Sequence, residues 1–91
     1  MRKSIEGCFE ADGVSREYQA WFEPDSEGRE QCAIRHRYKA SGSAAAYPWS
    51  PTTHISLPER HAWSLGRLAF THFRGVLGLD VREEAFGEDP V

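Results

Sequence analysis

The dipeptide Asp12-Gly13 divides the segment IEGCFEADGVSREYQAWF into two runs of alternating apolar and polar residues. This feature limits the fold more than any other, because Asp-Gly between alternating runs is among the strongest short-range signals for a β-hairpin. A two-residue turn there sets Ala11 opposite Val14, Phe9 opposite Arg16, Gly7 opposite Tyr18 and Ile5 opposite Ala20. The next connection, EPDSEG, is also rich in turn formers, with Pro24, Asp25, Ser26 and Gly28. Placing Phe22 near Glu30 puts Ala20 opposite Cys32, Tyr18 opposite Ile34 and Arg16 opposite His36.

Strand side chains alternate between faces, so this antiparallel meander over residues 1–39 sorts itself into two surfaces. One collects Ile5, Phe9, Val14, Tyr18, Ala20, Phe22, Cys32, Ile34 and Tyr38. The other collects Glu6, Cys8, Glu10, Glu17, Gln19, Trp21, Arg35, Arg37 and Lys39. Cys8 and Cys32 fall on opposite surfaces and should remain two free thiols.

Residues 40–56 form a long connection carrying Pro48 and Pro51, with Thr53–Ile55 a candidate for a short fourth strand. A loop of this length is expected to be a lid over one end of the core or a recognition loop. Ser56-Leu57-Pro58-Glu59 then has the form of a capping box, with proline in the first turn. It predicts a helix over residues 57–78, closed by Gly78. On its wheel Ala62, Leu65, Ala69, Phe73 and Val76 share one side, while Arg60, Ser64, Arg67, Thr71 and Arg74 share the other. The tail, residues 79–91, offers a second capping box at Asp80-Val81-Arg82-Glu83 and is expected to frame one or two helical turns before fraying. The fold class expected is α+β, a single domain over residues 1–91. Its three- to four-stranded antiparallel sheet should pack on one long amphipathic helix in ββ(β)α order.

The 91 residues are 40% hydrophobic and 12% aromatic, enough for one modest core without a metal or disulfide. No apolar run has the length of a membrane span and the N-terminus lacks the apolar region of a signal peptide, so a cytosolic protein is expected. The net charge of -3 conceals a segregation. Residues 1–34 carry eight acids and four bases, residues 35–78 six bases and one acid, and residues 79–91 five acids and one base.

Catalytic signals are sparse. The chain has no G-x-S-x-G, H-E-x-x-H or P-loop pattern. His61 and His72 share a helical flank but stand about 16 Å apart along the axis, and no two histidines have the spacing of metal ligands. His36 should turn toward the helix, near Arg16 and within reach of His72, which suits a half-buried structural histidine. Glu6, Glu10 and Glu17 lie on an open face that does not desolvate a general acid, and Cys8 sits among acids that disfavour a thiolate. Neither catalysis nor a cofactor is expected.

Binding has more support. Trp21 falls on the polar face of the sheet, where a large aromatic has no place in the core. Tyr47, Trp49, Trp63 and Phe70 are read first as side chains that seal the core under the long loop, with Tyr47 and Trp49 kept as a second contact surface. Arg35, Arg37 and Lys39 project together from one strand, and Glu17 should pair with Arg35 across the sheet. The expected function is that of a small non-enzymatic protein-binding module. The contacting residues would be Trp21, Glu6, Glu10, Glu17, Arg35, Arg37, Lys39, Tyr47 and Trp49. A regulator or inhibitor borne by a phage or mobile element, occluding a host complex that handles nucleic acid, fits such a chain. A weak nucleic-acid-binding module using Arg35, Arg37 and Lys39 is the alternative, and a homodimer through the Trp21 face is a third possibility.

Overall fold

A computed structural model describes residues 3–42, 45–58 and 64–87. Four strands, β1 (Ser4–Ala11), β2 (Val14–Pro24), β3 (Glu30–Tyr38) and β4 (Thr53–Ser56), form one antiparallel sheet in the order β1-β2-β3-β4. The architecture is α+β, with the candidate fourth strand present.

The first hairpin follows the expected register throughout, from Ala11↔Val14 to Ile5↔Ala20. Asp12 (φ 54°) and Gly13 (φ 77°) both take the left-handed conformation that such a tight turn requires. The second hairpin is displaced by two residues from expectation: Phe22 pairs with Cys32, Ala20 with Ile34, Tyr18 with His36 and Arg16 with Tyr38. The cause lies in Asp25. Its Oδ1 accepts from the backbone N–H groups of Glu27 (2.8 Å) and Arg29 (2.9 Å), while its own N–H donates to the Arg29 carbonyl (2.7 Å). This side-chain turn is tighter than the predicted connection, so the ladder runs on to Pro24↔Glu30. A shift of two preserves side-chain parity, and the sorting of faces survives it.

The inner face buries Phe9, Ala11, Tyr18, Ala20, Cys32 and Ile34 against Leu65, Leu68, Ala69 and Phe73 from the helical segment and Val81 and Phe86 from the tail. Val14 (39% exposed) and Tyr38 (49%) share that face but sit at the end the helix does not cover. Each complete burial of a large side chain contributes about 1.5–3 kcal/mol, so this cluster outweighs any polar contact in the fold.

The helix is short, not long. Helix α1 spans Leu65–Thr71 and passes into a single π-helical stretch at His72–Val76. Ser56 is not a cap; it belongs to β4, opposite Gln31, and its expected partner Glu59 lies outside the described residues. The N-cap is Ser64, whose hydroxyl accepts from the Arg67 N–H at 3.2 Å. Leu65, Ala69 and Phe73 are fully buried as the wheel requires, but Val76 is 71% exposed. The π-helical hydrogen bond from Leu77 N–H to the His72 carbonyl (3.0 Å) widens the last turn and swings Val76 off the apolar stripe. Gly78 (φ 69°) terminates the run in the left-handed conformation, and the Leu79 N–H reaches back to the Phe73 carbonyl (2.9 Å). Ala62 and Arg60 of the predicted wheel lie outside the described residues.

The tail departs from expectation too. Asp80 does not cap; a 3₁₀ turn at Glu83–Phe86 follows Arg82, and no side-chain cap bond is made there. Phe86 is 1% exposed and Val81 2% exposed, so the segment through Phe86 belongs to the core. Phe86 stacks on Phe73 with centroids 5.6 Å apart and tilts against Phe9 (5.2 Å) and Tyr18 (5.1 Å).

Candidate functional site: the outer face of the sheet

Helix and tail cover one face of the sheet; the other is the candidate site. Its side chains lie in rows fixed by the strand register. Glu6, Gln19 and Arg35 form one row across β1, β2 and β3, and Cys8, Glu17 and Arg37 the next. Ser4, Trp21 and Ala33 form a third row, with His54 of β4 beyond Ala33.

Within the first two rows the amide and charged groups are already joined. Gln19 donates from Nε2 to Glu6 Oε2 (3.3 Å) and accepts at Oε1 from Arg35 Nε (2.9 Å) and Nη2 (2.6 Å). Glu17 is bonded to Arg37, not to Arg35 as expected, because the tighter turn moved β3 by two positions. That ion pair is half-buried, with side chains 27% and 22% exposed, so water screens it less than a surface pair. Arg37 also donates from Nη1 to the Tyr47 carbonyl at 3.3 Å.

Tyr47 and Trp49 of the long connection are not among the side chains that pack against the core. Continuing the β3–β4 register would place Pro51 opposite His36, and proline has no N–H to offer the ladder. Ser50 takes over: its N–H donates to the His36 carbonyl (2.8 Å) and its hydroxyl accepts from the His36 N–H (3.0 Å). From this anchor the extended segment sends Tyr47 and Trp49 to opposite sides. Tyr47 is 51% exposed and meets Tyr38 edge-on at 5.9 Å. Trp49 folds onto the outer face, with the guanidinium carbons of Arg37 and Arg35 lying 4.0 and 4.5 Å from its ring centroid. Arg35 also lies 5.6 Å from the Trp21 ring. Trp21, Arg35, Trp49 and Arg37 thus form one continuous ridge of aromatic and guanidinium planes, each contact contributing about 0.5–2 kcal/mol. Of the other proposed core seals, Phe70 does pack against the core, and Trp63 lies outside the described residues.

Beside the ridge the surface falls into two shallow depressions. One of about 530 Å³ is lined by Ser4, Glu6, Gln19, Trp21 and Arg35, and the other, of about 370 Å³, by Glu6, Cys8, Glu17, Gln19, Arg37 and Trp49. Glu10 and Lys39 are exposed at the far end of the face, Glu10 opposite Ser15 and Lys39 bonded through its N–H to the Ser15 carbonyl (3.0 Å). The nine residues singled out in the sequence therefore do not all meet: eight share this face or its rim, and Tyr47 contributes its carbonyl there but turns its ring the other way.

Comparison with known proteins returns no matching family model, no matching curated protein and no matching solved structure.

Two residues of the face escaped sequence reasoning. Glu23 accepts from Trp21 Nε1 through Oε2 (3.2 Å) and contacts His54 Nε2 through Oε1 (2.8 Å), fixing the indole at the end of the ridge. Alternation along β2 could have placed Glu23 beside Trp21; only the β3–β4 pairing brings His54 to them. On the inner face, His36 and His72 flank Phe73 with centroids 5.3 and 5.2 Å away, as the predicted approach of His36 to the helix requires. Burial, and then the neighbouring Arg16, lowers the His36 pKa; burial, and then His36, lowers that of His72. Both shifts favour the neutral imidazole. The helix-side arginines turn to the tail: Arg67 pairs with Glu83 (3.3 Å) and Arg74 donates to the Val81 carbonyl (2.9 Å). Among the described residues no group of three or more His, Cys, Asp or Glu side chains could hold a metal ion, and no helix is long and apolar enough to cross a membrane.

Proposed function

We propose that this chain is a non-catalytic protein-binding module whose docking surface is the outer face of its sheet. The observation that carries the proposal is the placement of Trp49. A loop aromatic that could have closed the core is instead laid over Arg35 and Arg37, with Arg35 also reaching Trp21, on the face opposite the one that packs against the described helix and tail residues. Tryptophan and arginine dominate the energetics of protein interfaces, and here their rotamers are set in advance by Glu17, Gln19 and Glu23. A protein partner is favoured over nucleic acid because Glu17 neutralises Arg37 and interrupts the row of cations, leaving Arg35 and Lys39 as isolated charges rather than a run of phosphate contacts. Such a module acts by occupying a surface of its partner. The polarity of the face, acids on β1 and bases on β3, selects a partner of the reverse polarity.

The test is capture of partners from cell extract by the wild type, by Trp49→Ala and Trp21→Ala, and by the helix-side variant Arg67→Ala. The proposal expects the two tryptophan variants to lose partners that Arg67→Ala retains. It fails if the recovered set is the same for all four. It also fails if purified protein binds single-stranded DNA or RNA with a steep inverse dependence on salt that Arg35→Glu with Arg37→Glu abolishes.

A further inference from the structure

The outer face is complementary to itself. Its β1 side carries the carboxylates Glu6 and Glu10, whose neighbours across the sheet are the neutral Gln19 and Ser15, while Arg35, Arg37 and Lys39 stand on and just beyond β3. Its relief is divided in a similar way: the ridge rises from Trp21 on β2 to Arg35, Trp49 and Arg37 on the β3 side, and it walls a depression that reaches across Glu17 and Gln19 to Glu6 and Cys8 on the β1 side. β2 runs between the two halves.

We infer that the partner of this face is a second copy of the chain, docked face to face about a two-fold axis parallel to β2. The inference rests on reading the outer face as a protein-docking surface and names its occupant. Rotation by a half-turn about such an axis exchanges the β1 and β3 sides and leaves position along the strands unchanged. Each row of the sheet then meets its own row reversed. Glu6 faces Arg35 of the second copy, because both flank Gln19. Glu10 faces Lys39 of the second copy, because both flank Ser15. Trp49 of each copy enters the depression above Cys8 of the other, where the small thiol side chain leaves room, and Trp21 meets Trp21 near the axis. The alternative two-fold axis, across the strands, brings the β1 acids of one copy onto the β1 acids of the other and the β3 bases onto bases. Like-charge juxtaposition disfavours it; about the axis parallel to β2 the like charges that meet are Glu17 and Glu23, each facing its own copy, and these already contact Arg37 and His54 within each chain. Two-fold self-complementary contact of this kind is the commonest route to a homodimer.

The experiment uses Glu10→Lys and Lys39→Glu, exposed positions whose replacement leaves the core intact, and follows mass by sedimentation equilibrium. The wild type should dimerise, with dissociation promoted by salt. Each single variant should raise the dimer dissociation constant by about tenfold or more, because every substitution occurs twice in a two-fold interface. An equimolar mixture of the two variants should recover wild-type association as a heterodimer, since the reversed charges then face each other on both sides of the axis. A wild type that stays monomeric at the highest attainable concentration overturns the dimer, as does a mixture no better than the separate variants. In either case partner capture that still depends on Trp49 leaves the protein-binding proposal standing, so the two ideas fail separately.

Discussion

The guanidinium carbon of Arg37 lies 4.0 Å from the centroid of the Trp49 ring, which fastens the connection between β3 and β4 to the outer face of the sheet. Trp49→Ala should cost the whole fold only about 1–2 kcal/mol, because the core is untouched. It should release the connecting segment. Amide exchange is expected to accelerate at Ser50, whose N–H is held by the His36 carbonyl, while the Tyr18 and Ile34 amides stay protected. Hydrogen exchange followed by NMR checks this.

Phe86 closes the aromatic cluster formed with Phe9, Tyr18 and Phe73, although only a 3₁₀ turn carries it. Phe86→Ala should cost about 3–5 kcal/mol, the usual range for emptying a buried phenylalanine site. That is a large part of the total stability of a domain this size, and thermal denaturation should show a markedly lower midpoint. An unchanged midpoint would mean that the tail is not part of the core.

Gly7 lies beneath the ring of Tyr18, its partner in the hairpin; a Cβ there would stand 3.2 Å from Tyr18 Cε1. Tyr18 is 3% exposed and its ring is packed against Phe9, Phe73 and Phe86, which resists its displacement. Gly7→Ala should therefore destabilise by about 1–3 kcal/mol through overpacking, despite the better strand propensity of alanine. Urea unfolding of the variant measures the difference.

The pH dependence of stability follows from His36 and His72, whose folded pKa values both lie below the ordinary 6.5. The unfolded chain binds protons on these groups before the folded chain does. Stability is thus complete above about pH 6.5 and is lost as the pH falls through 6.5 toward the lower folded values. A series of urea midpoints from about pH 8 to about pH 5 should show this decline, and His72→Gln should make it shallower.

The two thiols should behave as differently as their surroundings. Cys32 is fully buried, and burial pushes its pKa up to about 11, whereas Cys8 is exposed on the outer face. At concentrations where the chain is monomeric, an aromatic disulfide reagent should titrate one thiol per folded chain, and both in denaturant. Rapid reaction of both in the native protein would contradict the packing of Cys32.

Alternation and turn chemistry were sufficient for the first hairpin, for the sorting of β1 to β3 into an inner and an outer face, and for Trp21, Arg35 and Arg37 as neighbours. These depend on contacts close in sequence and on a period of two, which a shift of register by two residues cannot disturb. The pairing of Glu17 with Arg37 rather than Arg35 needed the Asp25 turn, whose side-chain bonds shorten the connection. The helix fell short of its periodic pattern because Ser56 was claimed by the β3–β4 ladder and Val76 was displaced by a π-helical turn. Local propensity contains neither competitor.

By itself the sequence determined which side chains share a face, because strand parity is a property of each strand alone. Tertiary structure alone decided what covers each face: Phe86 of a polar tail completing the inner one, and Trp49 of a proline-bearing connection leaving the core for Arg35 and Arg37 on the outer one. Both placements join residues far apart in the chain. Their stability comes from surfaces that exist only once the sheet has formed, and no local pattern records them.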